Sequence, residues 1–279
     1  MELQERYFDI AKSFIEQYKK DKNIIGITLN GGVSRGTGDI YSEIDIYFYL
    51  KNKNKSTLPP RIKGIGGDIA VNEVWFEFKV FEFEKEKERE WDLVSRWDAN
   101  NCKILFERER RISNLLKEKV IFQLGEKNKL LNEFGFKANW CIQLAEVFEY
   151  RKDIKHAHLM INESLGALVD YYFILNGQFV PHYKWKYYYF SKLKKPDFKV
   201  KNLIFDLFII REYSKVELYR RINTIKKEIF VKNLKMEEDH PHKQNLEKVD
   251  NFISSLKDGI LFSNPFGDDY TLAPKKRKK

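Results

Sequence analysis

The chain reads as an α+β protein. It predicts a mixed sheet flanked by helices over residues 1–125, an all-helical bundle over 126–265, and a basic, disordered tail over 266–279. Three observations predict this. Short β-type runs alternate with helical periodicity only in the first part. From Lys127 to about Leu256 the periodicity is almost entirely helical. A glycine pair, Gly31-Gly32, directly follows one apolar run, and two carboxylates, Glu43 and Asp45, flank one isoleucine at the start of the next.

Taken in order, Leu3, Tyr7, Ile10, Phe14, Ile15 and Tyr18 recur at helical spacing, so a first helix is expected to about Lys20. Asp21-Lys22-Asn23 breaks it, and Ile24–Leu29 is a short apolar β run. After the glycines a short helix starts near Val33. From Glu43 to Leu50 the pattern alternates: Ile44, Ile46, Phe48 and Leu50 share one face, and Glu43, Asp45, Tyr47 and Tyr49 the other. Residues 51–60 form a Lys/Asn-rich loop closed by two prolines. Val71–Phe83 is expected as one long strand with Trp75, Glu77, Lys79 and Phe81 on one face. A charged helix over 84–97, a strand over 102–106 and a helix over 108–119 complete the first region. Later helical runs break near Gly177–Pro181, at Pro196 and around Glu237–Pro241.

With 43% hydrophobic residues the chain can build a core, which excludes a disordered protein. No apolar run approaches the roughly 20 residues that cross a bilayer, and Met1–Glu5 lacks the basic and apolar regions of a signal peptide. Cys102 and Cys141 have no metal-like spacing and read as small buried hydrophobes. A cytoplasmic protein is expected. The net charge of +10 suggests a polyanionic partner, yet the tail Pro274–Lys279 alone carries five of the positive charges. That tail has the composition of a nuclear import signal, and a solvated basic end explains it more simply. His240-Pro241-His242 reads as loop rather than metal site.

The opening stretch carries the chemistry. Carboxylates at i and i+2 of a strand point the same way, and two like charges need a cation between them unless they merely face water. On spacing alone an exposed polar face explains them. The glycine turn changes that reading. Gly31 and Gly32 let backbone N–H groups approach a phosphate, the following helix aims its positive end there, and Ser34 and Arg35 offer a hydroxyl and a guanidinium.

The string Gly31-Gly32-Val33-Ser34-Arg35-Gly36, then Tyr41-Ser42-Glu43-Ile44-Asp45, resembles the signature of the DNA polymerase β-like nucleotidyltransferase superfamily. It looks most like the branch that modifies lincosamide and aminoglycoside antibiotics, with Gly32 where serine is commoner and Glu43 where aspartate is. The resemblance implies a polymerase β-like catalytic domain and two Mg²⁺ ions held by Glu43, Asp45 and a third carboxylate on a later strand. Glu77 fits that third place by face parity; Glu73 lies at the strand's start, and Glu82 and Glu84 have the wrong parity or fall in the charged run. It further implies ATP or another nucleoside triphosphate bound by Gly31, Gly32, Ser34, Arg35 and Ser42, transfer of the nucleoside monophosphate to a small hydroxylated acceptor, and release of pyrophosphate.

The helical region is expected to supply the acceptor pocket. Arg151-Lys152-Asp153, Asn176–Pro181 and Lys184-Trp185 look like the corresponding region of bacterial enzymes of this group. His156, Glu163 and Asp170 repeat every seven residues, a stripe that faces solvent or a second copy, or that offers Glu163 as a base. Lys184 could reach phosphates. Two other readings stand beside this one: an antitoxin-type member acting on a protein partner, and a member with a nucleic-acid acceptor. A homodimer is compatible with all three.

Overall fold

Every residue of one strand, β2 (Ile44–Leu50), is buried, its apolar face and its Tyr47 and Tyr49 face in separate clusters, and the rest of the sheet is laid against it. In the computed structural model, residues 3–63, 68–71, 73–230, 261–262 and 270–271 are described. Residues 1–234 form one compact unit and 235–279 another. Within the second, Leu261–Phe262 pairs antiparallel with Tyr270–Thr271, so part of the stretch read as tail is strand. The His240-Pro241-His242 and 274–279 readings lie outside the described residues.

The first unit opens with α1 (Leu3–Ile15), then β1 (Ile24–Leu29), a four-residue α2 (Gly31–Ser34) and β2 (Ile44–Leu50). Next come α3 (Pro60–Lys63), β3 (Asp68–Val71), β4 (Val74–Glu82), α4 (Phe83–Glu88), α5 (Leu93–Asn100), β5 (Lys103–Glu107) and α6 (Arg111–Lys119). Most of the run expected as one strand over Val71–Phe83 is β4, and its first residue, Val71, closes the separate strand β3. Glu73 adopts a left-handed backbone (φ 66°), and β3 folds back antiparallel on β4. The helix expected over 84–97 likewise divides into α4 and α5. Glu90 and Trp91 separate them, and Asp92 restarts the helix by accepting the Ser95 N–H in its carboxylate at 2.7 Å.

The sheet order is β3-β4-β2-β1-β5, with β2 and β4 parallel and the other neighbours antiparallel. Parity decides what each face does. Ile44, Ile46, Phe48, Phe76 and Phe78 bury under α1 together with Ile15, Ile27 and Leu29. Burying each aliphatic or phenyl group there contributes about 2–3 kcal/mol, enough to fix the register of the central strands. On the other face Tyr47 and Tyr49 join Ile25, Phe83, Trp91, Ile112 and Leu115 beneath α4 and α6. Asp45 stands on that second face, at the end of the strand where this apolar cover stops.

Beyond Gly125 the described elements to residue 230 are helical: α7 (Glu126–Tyr150), α8 (Ile154–Leu175), α9 (Tyr183–Lys192), α10 (Phe198–Phe208) and α11 (Lys215–Thr224), extended by a π-type turn. α7 and α8 form the long hairpin, closed where the Asp153 carboxylate accepts the His156 N–H. Arg96 of α5 ties the sheet to α7. It pairs with Glu126 and donates to the carbonyls of Lys119 and Ile121, with its guanidinium over Phe179 at 4.1 Å. Arg221, fully buried, donates to the Leu207 carbonyl, the Asn162 amide oxygen and His158 Nδ1, locking α11 to α8.

Candidate active site

β1 ends at Asn30, whose N–H donates to the Asp45 carbonyl at 2.9 Å, so the turn after β1 is sewn directly to β2. Asn30 then caps α2 from an extended backbone (φ −116°). Gly31 follows with φ +64°, and a Cβ at this position would lie 1.7 Å from Asp45 Oδ2. Gly31 is therefore required twice, by backbone conformation and by the space the carboxylate occupies. Gly32 is under no such pressure, since its Cβ would meet Thr37 Oγ1 and Ser42 Oγ at 3.5 and 3.8 Å. The serine commoner at that place would fit. The N–H groups of a helix's first turn have no intrahelical acceptors, and the Ser34 N–H is the first returned to a carbonyl, that of Asn30.

The parallel register of β2 and β4 sets Asp45 opposite Glu77. Glu43, one residue before β2, completes a group whose carboxylate oxygens all lie within 4.8 Å of one another. Asp45 is 5% exposed. Burial, a hydrogen bond with Glu77, and repulsion from Glu77, Glu43 and Asp98 push its carboxyl up to about 8. Burial acts upward on Glu77 as well. The hydrogen bond from Asp45, Lys79 and Lys184 outweigh it and hold Glu77 below the usual carboxylate range. The pair is thus driven in opposite directions, Asp45 toward its neutral form and Glu77 toward its ionised one. Three hard oxygen donors converging at this cost fit a divalent cation such as Mg²⁺, and the missing side chain of Gly31 leaves the space that the Asp45 carboxylate occupies among them.

Around this group lies a cavity of about 670 Å³. Its wall takes Gly31 and Gly32 from the turn, the three carboxylates from the sheet, and His182, Lys184 and Trp185 from α9 and the residue before it. Lys184 Nζ stands 3.9 Å from Glu43 Oε1, with 56% of its side chain exposed. Sheet and helical region therefore enclose one space.

The residues singled out in the sequence divide. Glu43, Asp45, Glu77, Gly31, Gly32, Ser42, Arg35 and Lys184 are brought together around the cavity. Ser42 is occupied in building its loop, accepting the Asp39 N–H and donating to the Asp39 carboxylate, both at 3.0 Å. Arg35 is committed to Asp98, at 2.9 Å from Nη1 to Oδ1. Ser34 does not line the cavity, because its buried hydroxyl donates to the Gly31 carbonyl at 2.9 Å and so stabilises the turn from behind. Glu163 is also not brought there. It stands 60% exposed on α8 with Lys137 at 4.0 Å. Nor is the heptad stripe one surface, since Asp170 is turned inward to Lys186 at 2.6 Å while His156 pairs with Asp153.

Sequence reasoning missed Asp98, Tyr47, Lys79 and Asn30. Asp98 accepts from Arg35, from Asn30 Nδ2 at 3.0 Å and from the Tyr47 hydroxyl at 3.3 Å. Burial and then the surrounding carboxylates, Asp98 first, raise the Tyr47 phenol and keep it a donor. Lys79 bridges Tyr47 and Glu77 at 2.8 and 3.0 Å. Tyr47 and Lys79 were legible, being on the carboxylate face of their strands. Asp98 was not, because only the docking of α5 brings it there.

No curated protein sequence matches the chain at a significant level. Among solved structures, a nucleotidyltransferase-like protein from Exiguobacterium sibiricum 255-15 superposes with a TM-score of 0.44 at 13% identity, covering 78% of this chain and 74% of that one, too distant a likeness to carry an argument. The family comparison reaches the residues of the site. Residues 10–122, which include the glycine turn, Glu43, Asp45 and Glu77, match the family model described as a nucleotidyltransferase domain.

Proposed function

We propose that the protein transfers a nucleoside monophosphate from a nucleoside triphosphate, with ATP the first choice, to a hydroxyl of a small acceptor, and that it releases pyrophosphate. The observation that carries this reading is the convergence of Glu43, Asp45 and Glu77 beside the Gly31-Gly32 turn, with Lys184 facing them across one cavity. The backbone N–H groups of the turn and the Lys184 ammonium are the groups that would receive the triphosphate oxygens. Glu43, Asp45 and Glu77 would hold Mg²⁺. When bound, Mg²⁺ neutralises triphosphate charge and lowers the pKa of the acceptor hydroxyl. Holding a cation would require the ionised form of Asp45, and Lys79, which already pairs with Glu77, would steady the second carboxylate.

The acceptor is a small hydroxylated molecule, for which an aminoglycoside or a lincosamide is the first class to try, on the resemblance of the turn and dyad. Glu163 has no place in this reading, since it stands away from the cavity. The test is label transfer from α-labelled ATP with Mg²⁺ to a panel of hydroxylated molecules, with Asp45→Asn alongside. A labelled acceptor made by the wild type and not by the variant is the expected result. Equal transfer by a folded Asp45→Asn protein would refute the site.

A further inference from the structure

We propose that Arg35 is a positioning residue. It pins the first turn of α9 to the sheet and so sets Lys184 over Glu43, rather than gripping phosphate itself. The proposal rests on the nucleotidyltransferase reading only for what Lys184 does. The pin itself stands on geometry.

Arg35 is the C-cap of α2, the residue that ends the glycine turn. Its side chain is 4% exposed, and Nη1 donates to Asp98 Oδ1 at 2.9 Å, so its charge is matched by a carboxylate. That carboxylate is fixed in turn by Asn30 Nδ2 and the Tyr47 hydroxyl. The guanidinium carbon lies 4.7 Å from the Trp97 ring and 5.3 Å from the Trp185 ring. An indole from α5 and an indole from α9 therefore both pack on one cation. Arg35 Nε and Trp185 Nε1 are both buried without a partner. An incoming phosphate would have to reach a side chain that is 4% exposed, packed by two indoles and already paired with Asp98.

What the stack fixes follows from chain order. Trp185 is the neighbour of Lys184 in the first turn of a ten-residue helix. The cap of that helix is weak, with the Lys184 N–H 3.5 Å from His182 Nδ1, and Pro181 stands just before it. Tyr189, one turn further, packs on Trp97 at 5.2 Å and on Trp185 at 6.1 Å, so the aromatic layer continues along α9. Lys186 holds α9 to α8 through Asp170 at 2.6 Å, and Arg35 supplies the tie to the sheet. One side chain thus couples the glycine turn, the Asp98 network and the lysine that faces the carboxylates.

The test compares Arg35→Ala, Trp185→Ala and Trp185→Phe by hydrogen exchange over residues 183–192 and by equilibrium binding of ATP with Mg²⁺. Arg35→Ala and Trp185→Ala should each raise exchange in that segment by about tenfold with β1 and β2 unchanged, the size expected for losing a desolvated cation–aromatic contact. Both should weaken ATP by a similar factor, Trp185→Phe should restore most of both, and the double alanine variant should bind ATP no worse than either single one. Trp185→Ala leaves the Arg35–Asp98 pair intact, so it decides the matter even if Arg35→Ala fails to fold. Wild-type affinity in Trp185→Ala beside a large loss in Arg35→Ala would make Arg35 a direct phosphate ligand and overturn the proposal. So would unchanged exchange over 183–192 in Trp185→Ala. A wild-type protein that binds no ATP would instead defeat the nucleotidyltransferase reading, and the exchange arm would still decide the pin.

Discussion

Replacing Asp45 by asparagine should stabilise the metal-free protein, and by an amount that depends on pH. Asp45 is buried against Glu77 and near Glu43 and Asp98, which takes its carboxyl from the usual 3.8 to about 8. A carboxyl raised on folding contributes its full stability below the unfolded value and loses it as pH climbs through the folded one. At ~1.4 kcal/mol per pH unit the ceiling on that loss is ~6 kcal/mol. Glu77, held below its usual range against its burial by the hydrogen bond with Asp45 and by Lys79 and Lys184, returns part of it. Asparagine keeps a donor for Glu77 and removes the charge, so we expect Asp45→Asn to gain ~2 kcal/mol at pH 9, progressively less toward lower pH, and nothing below the unfolded value of 3.8. For a folded unit of this size ~2 kcal/mol corresponds to a rise in Tm of about 4–8 °C. The assay is thermal unfolding in EDTA at half-unit pH steps. Millimolar Mg²⁺ should then reverse the order at pH 8, raising the wild type and leaving the variant where it was. A difference that is flat with pH, or an asparagine variant less stable at pH 9, would refute the electrostatic reasoning.

Other outcomes follow from particular contacts. Gly31→Ala should abolish ATP binding and lower stability by ~1–3 kcal/mol, because its Cβ strains a left-handed backbone and displaces Asp45, while Gly32→Ala should fold normally; unfolding and ATP binding measured on the pair check both. Lys184→Ala should raise the dissociation constant for ATP about tenfold with unchanged Tm, since the side chain is largely exposed and faces Glu43. Glu163→Gln should keep label transfer within about twofold of wild type, as expected of an exposed substitution that does not line the cavity. Burial holds the His158 imidazole below its usual range, and its Nδ1 accepts from Arg221 while Nε2 meets the Ser214 carbonyl. A depressed histidine contributes stability above the unfolded value of 6.5 and loses it as pH falls toward the folded one, so Tm should drop below pH 6.5 less steeply in His158→Gln than in wild type.

Much of the first region was legible because its code is local. Alternation over 44–50 fixed which side chains of β2 go under α1 and which go to the site, and the same parity selected Glu77. The start of β4 was harder to place, since β-type residues run on from Asp68–Val71 into Val74–Glu82 and a left-handed Glu73 stands between the two strands. Glycine spacing pointed to the turn but could not separate its two glycines; only the Asp45 carboxylate against Gly31 does that. Hydroxyl and guanidinium groups named from a motif proved to have other partners, Ser34 behind the turn and Arg35 on Asp98. Heptad spacing could not say how His156, Glu163 and Asp170 would differ, because packing of α8 against its neighbours turns Asp170 inward to Lys186 and leaves Glu163 exposed.

The most direct measurement is a crystal structure with a non-hydrolysable ATP analogue and Mn²⁺, read for anomalous scattering. Manganese peaks among Glu43, Asp45 and Glu77, with the triphosphate on the Gly31-Gly32 turn and within reach of Lys184, are the expected result. A triphosphate bound elsewhere, with no metal among those three carboxylates, would contradict the nucleotidyltransferase site.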